Sequence, residues 1–471
     1  MLWKIARIAV VVSTCAVVTS AVGSERVNRE LLHGPSSAQP TSGAPQPSDL
    51  GSPPKSRTPG ATGARPTPTA GAAGTAAPNG ITGTGAAPAS AALPLPITNV
   101  IAFGAIGNGR TDNTVAIGKA MLMAEARGGT LYFPPGHYMV GGSGIGSAIE
   151  IRGGRAVTIA GAGRDLVTLT NTNPAGGLLS IRVDHTVVEG VTLDAQSFNS
   201  RQALGAQANY VTVQNARILG GSQFFAIYYA GPAAATPAAP AYNTGNRLLN
   251  DTVSDLVQND GISWSFQENS VIENLQHTGS RLALYVDRYV TVQNETYRPG
   301  PQGGGTAGFW ISAPSDHITI NNFTSYGMGG VISDNGASVS SNIVITNERL
   351  LVPGNALRVD AARGLTIRGC NFGTASTLLF TATMSTTSVV VEDCTSLPMV
   401  RFQGSVGVGV VFLRDVYPAV GATAQHRQTF FNFNSAHPVF AVNGGVWMNR
   451  AGGFFGGTTA TYTVTNLIGY P

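Results

Sequence analysis

Four runs in the second half of the chain carry groups that could act on a substrate together. They are QNDGIS with Asp260, ALYVD with Tyr285 and Asp287, VISDN with Asp334, and ALRVD with Arg358 and Asp360. Paired carboxyl groups cleave glycosidic bonds, about 5–5.5 Å apart for retention of configuration and about 6.5–9.5 Å apart for inversion. If successive runs stack, Asp334 and Asp360 lie in adjacent coils one position apart, with backbones about 5–6 Å from each other. Asp287 then falls two coils away, about 10 Å from Asp334. Asp260 and Asp287 do not pair, because five positions along aligned strands separate them by about 16 Å. Asp260 faces Arg281 in the next coil, as a structural ion pair or as a second polar cluster. Arg358 could hold an acidic group of a substrate or neutralise Asp360. Tyr228 in IYY, Tyr285, and Trp310 in GFWIS supply flat rings, and rings beside carboxylates and hydroxyls suit sugar faces.

The stacking follows from an internal repeat. Similar runs begin near Leu178, Ala203, Phe225, Gly261, Ala283, Gly308, Val331, Ala356, Leu378 and Val400, mostly 22–25 residues apart. A second run follows in most coils, as in YVTVQN, HITINN, NIVITN and GLTIRG. This period, with two or three short strands per coil, marks a β-solenoid whose coils must stack to bury their inner faces. Alternation along the strands predicts one outward column of Ser180, Gly205, Tyr228, Ser263, Tyr285, Trp310, Ser333 and Arg358. A second outward column runs through Ser265, Asp287, Ser312 and Asp360. Asp334 would be buried by strict alternation, so either its strand stops at Ser333 or the carboxyl has a special environment with a raised pKa. Asp184-His185 and Asp316-His317 read as turn residues, and His277 has no evident partner. One step of 36 residues contains GPAAATPAAPAYNTG, residues 231–245, an insertion expected to wall a groove.

Composition agrees with such a protein. Of 471 residues, 60 are Gly and only 11% are charged, which excludes a coiled coil, a helical bundle and a basic nucleic-acid binder. Residues 1–97 hold seven basic and three acidic residues, so the net charge of +4 belongs to this segment and the rest is balanced. Lys119 is the one lysine after residue 97, which removes a lysine-based elimination. Lys4 and Arg7 precede an apolar run, Ile8 to Val22, and residues 1–23 read as a secretion signal, with an uncleaved N-terminal anchor as the alternative. Residues 24–97, rich in Pro, Ala, Gly, Ser and Thr, read as a disordered linker. Cys370 and Cys394 occupy matching places in consecutive coils. A disulfide is within reach, but two stacked thiols are the favoured reading. No metal-site spacing occurs.

Residues 98–147 form a separate cap before a solenoid over 148–471. Asn99 to Ala105 is expected as a strand and GNGRTD as a turn. Thr111 or Asp112 would cap a helix with Ile117, Ala120, Met121 and Ala124 inside, ended by Gly128-Gly129. FGAIGNGRTDNTVAIGKAM followed by GGTLYFPPGHYMV resembles the opening of the pectate-lyase/polygalacturonase superfamily. The resemblance implies an all-β fold, a right-handed single-stranded parallel β-helix of about ten coils with a short N-terminal capping helix. It covers a cap, so it leaves the reaction open and makes Asp112 structural. The polygalacturonase motifs NTD, DD, GHG and RIK are absent.

The residues and the resemblance together lead to a secreted or cell-surface carbohydrate-active protein. The leading expectation is a polysaccharide hydrolase using Asp287, Asp334 and Asp360, with Tyr228, Tyr285 and Trp310 as sugar platform and Arg358, Asp260 and Arg281 beside it. A lyase or uronate epimerase is the alternative, with Arg281, Arg358 or Tyr285 as base. A non-catalytic glycan-binding or surface-structural protein is the third. The expected partner is a polysaccharide or glycan, with no nucleic acid and no membrane-spanning domain, and the oligomeric state is open. No cofactor is called for, and calcium would enter only with a lyase.

Overall fold

The computed structural model describes residues 96–467 except 143, 197–201, 221–224, 256–259, 301–306, 352–354, 373–376, 382, 398, 404–406, 418–430, 435–437, 448–454 and 458–460. The secretion signal and nearly all of the linker lie outside the described residues. The described chain winds through three parallel sheets in turn, and each strand pairs with its counterpart one coil away. Among the described residues the first sheet has 13 strands, the second 16 and the third 10. This is a right-handed parallel β-helix. All ten expected first-sheet positions carry a strand, from Leu179–Ile181 to Met399–Gln403. The sequence reading missed Ile149–Ile151 before them and Phe431–Asn434 and Phe455–Gly457 after them.

Alternation builds the core. Residues 181, 206, 229, 264, 284, 311, 332, 359, 380 and 402 stack in register down the inside of the first sheet. All are apolar or aromatic and buried, among them Trp264 and Tyr229, whose rings lie 4.0 Å apart. No single coil could hide these side chains. The corner between second and third sheets is held by asparagines in the left-handed region: Asn250, Asn274, Asn294 and Asn322, with φ of 50–60°. Asparagine tolerates this conformation better than most residues. The side-chain amides of Asn274, Asn294 and Asn322 each donate to the asparagine oxygen of the preceding coil, at 2.8–3.0 Å.

The cap differs in detail from expectation. Only Ile97–Asn99 is extended; Val100–Phe103 closes into a 3₁₀ turn held by the Asn99 side chain. GNGRTD is not a turn, because Asn108–Asp112 pairs with Gly136–Val140. The helix runs Thr114–Arg127 with Ile117, Ala120, Met121 and Ala124 buried, and ends at Gly128 with φ of 71°. Its N-cap is Asn113, whose side chain instead bonds to Ile106, Thr111 and Met139. Asp112 does accept the Thr114 N–H at 2.9 Å, so its role is structural as expected. Cys370 and Cys394 are joined as a disulfide, against the thiol reading; stacked coils bring their Cα atoms to 4.4 Å.

Candidate active site

Register decides which side chains meet on the outer face of the first sheet. Ser180, Gly205, Tyr228 and Ser263 align as expected. Then Ala283 rather than Tyr285 pairs with Ser263 and Trp310, and Val331 rather than Ser333 pairs with Trp310 and Arg358. Tyr285 ranks with Ser265, Ser312 and Ser333 in the neighbouring column. Strand ends are held in register by the turn that follows, with Phe266 and Val286 both left-handed at φ of 55° and 58°. Aligning the starts of the apolar runs therefore misplaced Tyr285 by two positions.

That same turn corrects Asp287. Beyond left-handed Val286 the simple alternation of sides is lost, and Asp287 is fully buried rather than facing out. Its Oδ1 accepts the Gln267 N–H at 2.7 Å, and its own N–H donates to Ser315 Oγ at 3.1 Å. Burial pushes its carboxyl well above the usual range, against the pull of these backbone contacts. Asp287 belongs to an interior ladder that joins corners of adjacent coils, and it is not placed to act with Asp334.

The aromatic platform is also corrected. Tyr285 and Trp310 do point away from the core and share one cluster with Ala283, Ala307 and Val331, but they are only 3% and 8% exposed. The Tyr285 hydroxyl reaches back along the sheet to donate to Asp260 Oδ2 at 2.5 Å. Arg281 pairs with Asp260 Oδ1 at 2.5 Å and lays its guanidinium 4.1 Å above the Trp310 ring. These side chains cover one another instead of lying open as a trench. Tyr228 is three coils from Trp310 in its column, half-buried and stacked on Phe225 at 5.1 Å. Burial pushes its hydroxyl up to about 12. For Tyr285, burial and then Asp260 raise the phenol well above its ordinary value. Burial alone would lower Arg281, but pairing with Asp260 outweighs it and raises the guanidinium. Neither group is prepared to take a proton, which counts against elimination driven by either.

Asp334 and Asp360 do come together. The strand Met328–Ser333 stops before Asp334, the first of the two expected alternatives, yet Asp334 and Asp360 are as covered as Tyr285 and Trp310, at 8% and 2% exposed. Its Oδ1 accepts the Gly336 N–H at 2.9 Å. Asp360 continues the rank of Ser312 and Ser333, its N–H donating to the Ile332 carbonyl at 2.8 Å. Arg358 embraces it from two residues away, Nε to Oδ1 at 2.7 Å and Nη2 to Oδ2 at 3.0 Å. Two threonines of the next coil complete the cluster. Thr381 donates to Asp360 Oδ1, and the Thr383 hydroxyl touches Asp334 Oδ2 while lying 3.0 Å from the Asp360 carbonyl oxygen. Nearby on the same outer face, Trp310 Nε1 and Ser312 Oγ are buried without a hydrogen-bond partner among the described residues.

The sequence reading missed an interior cluster. His277, left without a partner there, donates to Asp255 Oδ2 at 3.1 Å, and its Nδ1 stands 3.6 Å from Glu295 Oε1. All three side chains are fully buried. Burial would lower His277, but the two carboxylates outweigh it and raise the imidazole to about 9. A usable signal existed: Leu275 and His277 alternate in LQHTG, which puts a histidine at an inward position. The insertion lies over the corner between first and second sheets. Ala235 packs on Phe266 and Val286, and Tyr242 takes the Arg288 guanidinium on its ring at 4.2 Å.

The parallel β-helix, together with the family its sequence matches, makes this a carbohydrate-active β-helix protein. Residues 97–396 match the family of rhamnogalacturonase A/epimerase, pectate lyase-like proteins, and the chain belongs to that family. Among curated proteins it is similar to the SPbeta prophage-derived uncharacterized protein YomE of Bacillus subtilis (strain 168), 35% identical over 105 residues. The match spans 22% of this chain and 16% of that relative's length. Among solved structures it is similar to the catalytic unit of a GH87 alpha-1,3-glucanase from Streptomyces thermodiastaticus strain HF3-3. That likeness has a TM-score of 0.48 at 15% identity, over 80% of this chain and 69% of the other. It is also similar to the A-module of the mannuronan C-5 epimerase AlgE6 of Azotobacter vinelandii, with a TM-score of 0.42 at 18% identity, over 79% and 99% of the two chains.

Proposed function

We propose that this protein hydrolyses glycosidic bonds of a polysaccharide, with Asp334 as general acid and Asp360 as general base. The observation that carries the reading is the Thr383 hydroxyl, which joins the two aspartates across adjacent coils. It has one hydrogen and two oxygen neighbours, and the Asp360 carbonyl can only accept. Asp334, held by the Thr383 hydroxyl, supplies the proton to the leaving oxygen. Both oxygens of Asp360 receive N–H groups from Arg358, a geometry made for a carboxylate. Asp360 takes the proton from the attacking water as the bond to the anomeric carbon forms. The chemistry needs water and two carboxyl groups and no cofactor. Among the described residues no helix is long and apolar enough to cross a membrane, and a polymeric substrate suits export through the N-terminal signal.

The test is Asp334→Asn against a polysaccharide panel, read by new reducing ends. Product formation is expected to vanish while glycan binding persists. Undiminished product from Asp334→Asn would overturn the assignment.

A further inference from the structure

The turn that enters the second sheet repeats one device. Its left-handed residue is His185, Tyr210, Tyr289, His317 and Asn342 in five of the coils, with φ of 62°, 54°, 54°, 53° and 53°. A left-handed residue at the same place in each coil brings these side chains into one outward file. His185 stacks on Tyr210 with ring centroids 4.7 Å apart and planes 2° from parallel. Tyr289 stacks on His317 at 4.7 Å and 28°. Unlike the rings of the first sheet, these are open: Tyr210 is 47% and Tyr289 48% exposed.

The second stack borders a groove of about 530 Å³ on the outer face of the second sheet. Its floor carries Thr291, Thr319, Val344 and Thr366 in one column, with Asn342 at its edge. The imidazole is held in place, since His317 Nδ1 lies 2.7 Å from Asp316 Oδ2, and Asp316 also accepts from Ser341 and Asn342. Burial tends to raise Asp316, but these hydrogen bonds and His317 overcome it and lower its carboxyl. The groove lining thus offers flat rings and a rank of hydroxyls, with its one ionisable pair internally matched.

We propose that this groove is a second glycan site, separate from the Asp334–Asp360 cluster, that holds an uncharged segment of a polysaccharide. An apolar ring face takes the CH face of a pyranose, while Thr291 and Thr319, in adjacent coils about 4.8 Å apart, and Thr366 beyond Val344 meet its hydroxyl rim. Charge complementarity selects an uncharged sugar, because the lining brings no unmatched cation to a uronate. The site would anchor polymer beside the catalytic face of the same solenoid.

The test measures binding by calorimetry in the full chain carrying Asp334→Asn, so that the ligand survives and the outcome does not depend on the catalytic reading. The probes are hexaoses of β-1,4-glucose, β-1,3-glucose, α-1,3-glucose, β-1,4-xylose and β-1,4-mannose, with a galacturonate hexaose as the charged arm. At least one uncharged hexaose is expected to bind. Tyr289→Ala should weaken it about tenfold, equivalent to about 1.4 kcal/mol, while Tyr289→Phe, which keeps the ring, should bind like the parent. The proposal is overturned by no binding of any uncharged hexaose, by unchanged affinity in Tyr289→Ala, by binding of the uronate alone, or by sedimentation showing that a second copy occupies the groove.

Discussion

The protein keeps two populations of ionisable groups, and they are treated in opposite ways. On the outer face of the first sheet, Asp260 and Asp360 each sit against an arginine, and Asp334 against a threonine shared between coils. Inside, Asp287 and Glu348 are fully buried with no arginine among their contacts, and burial pushes Glu348 up to about 8. The outer groups have partners that hold a carboxylate or pass a proton. Of the inner ones, Asp287 accepts the Gln267 N–H, Asp255 and Glu295 share His277, and burial alone raises Glu348. A perturbed carboxyl is therefore not by itself a catalytic one here; the side of the sheet decides.

The sharpest way to break this comparison is to replace one carboxylate from each population. Asp360→Asn is expected to lower turnover about 10²–10⁴-fold, the range of a lost acid or base, without shifting thermal unfolding much. Asp287→Asn can still accept from Gln267 and should retain turnover. Equal losses in a reducing-end assay would dissolve the distinction. Next in size, His277→Leu leaves Asp255 and Glu295 facing each other without the cation between them. Denaturant unfolding should show a cost of about 3–5 kcal/mol, and a loss below about 1 kcal/mol would mean that the histidine is not charged in the fold.

The same groups set a pH dependence. His277 rises from 6.5 to about 9 in the fold, so its contribution is complete below pH 6.5 and fades as pH passes 9. Glu348 rises from 4.5 to about 8, so its contribution is complete below pH 4.5 and lost as pH passes 8. Both slopes run the same way. Stability is expected to fall between about pH 5 and pH 9, and Glu348→Gln should flatten part of that fall in chemical denaturation. Smallest is Asn294→Ala in the corner ladder, about 1–2 kcal/mol for forcing alanine into the left-handed region, with Asn294→Gly recovering the backbone part.

Much of the scaffold was legible because it depends on local alternation repeated coil by coil. The inward file through Trp264, Leu284 and Ile311 can be read directly from the letters. The pairing of Asp334 with Asp360 was also legible, since each ends a recognisable run. What failed were features set at the corners. Val286 adopts a left-handed turn that nothing in ALYVD announces, and it moved Asp287 inside and Tyr285 into the next column. The covering of Tyr285 and Trp310 depends on where Arg281 and Asp260 reach, which alternation does not describe. The contacts of His277 join groups from three coils that no sequence window holds together.

The account rests on bond cleavage by water at the outer carboxylates. The most direct measurement is digestion of a polysaccharide panel by the full chain, following reducing ends and the ultraviolet absorbance of unsaturated uronides in the same sample. Hydrolysis predicts reducing ends that accumulate with no ultraviolet band and disappear with Asp360→Asn. Product carrying that band, or reducing ends that persist in Asp360→Asn, would contradict it.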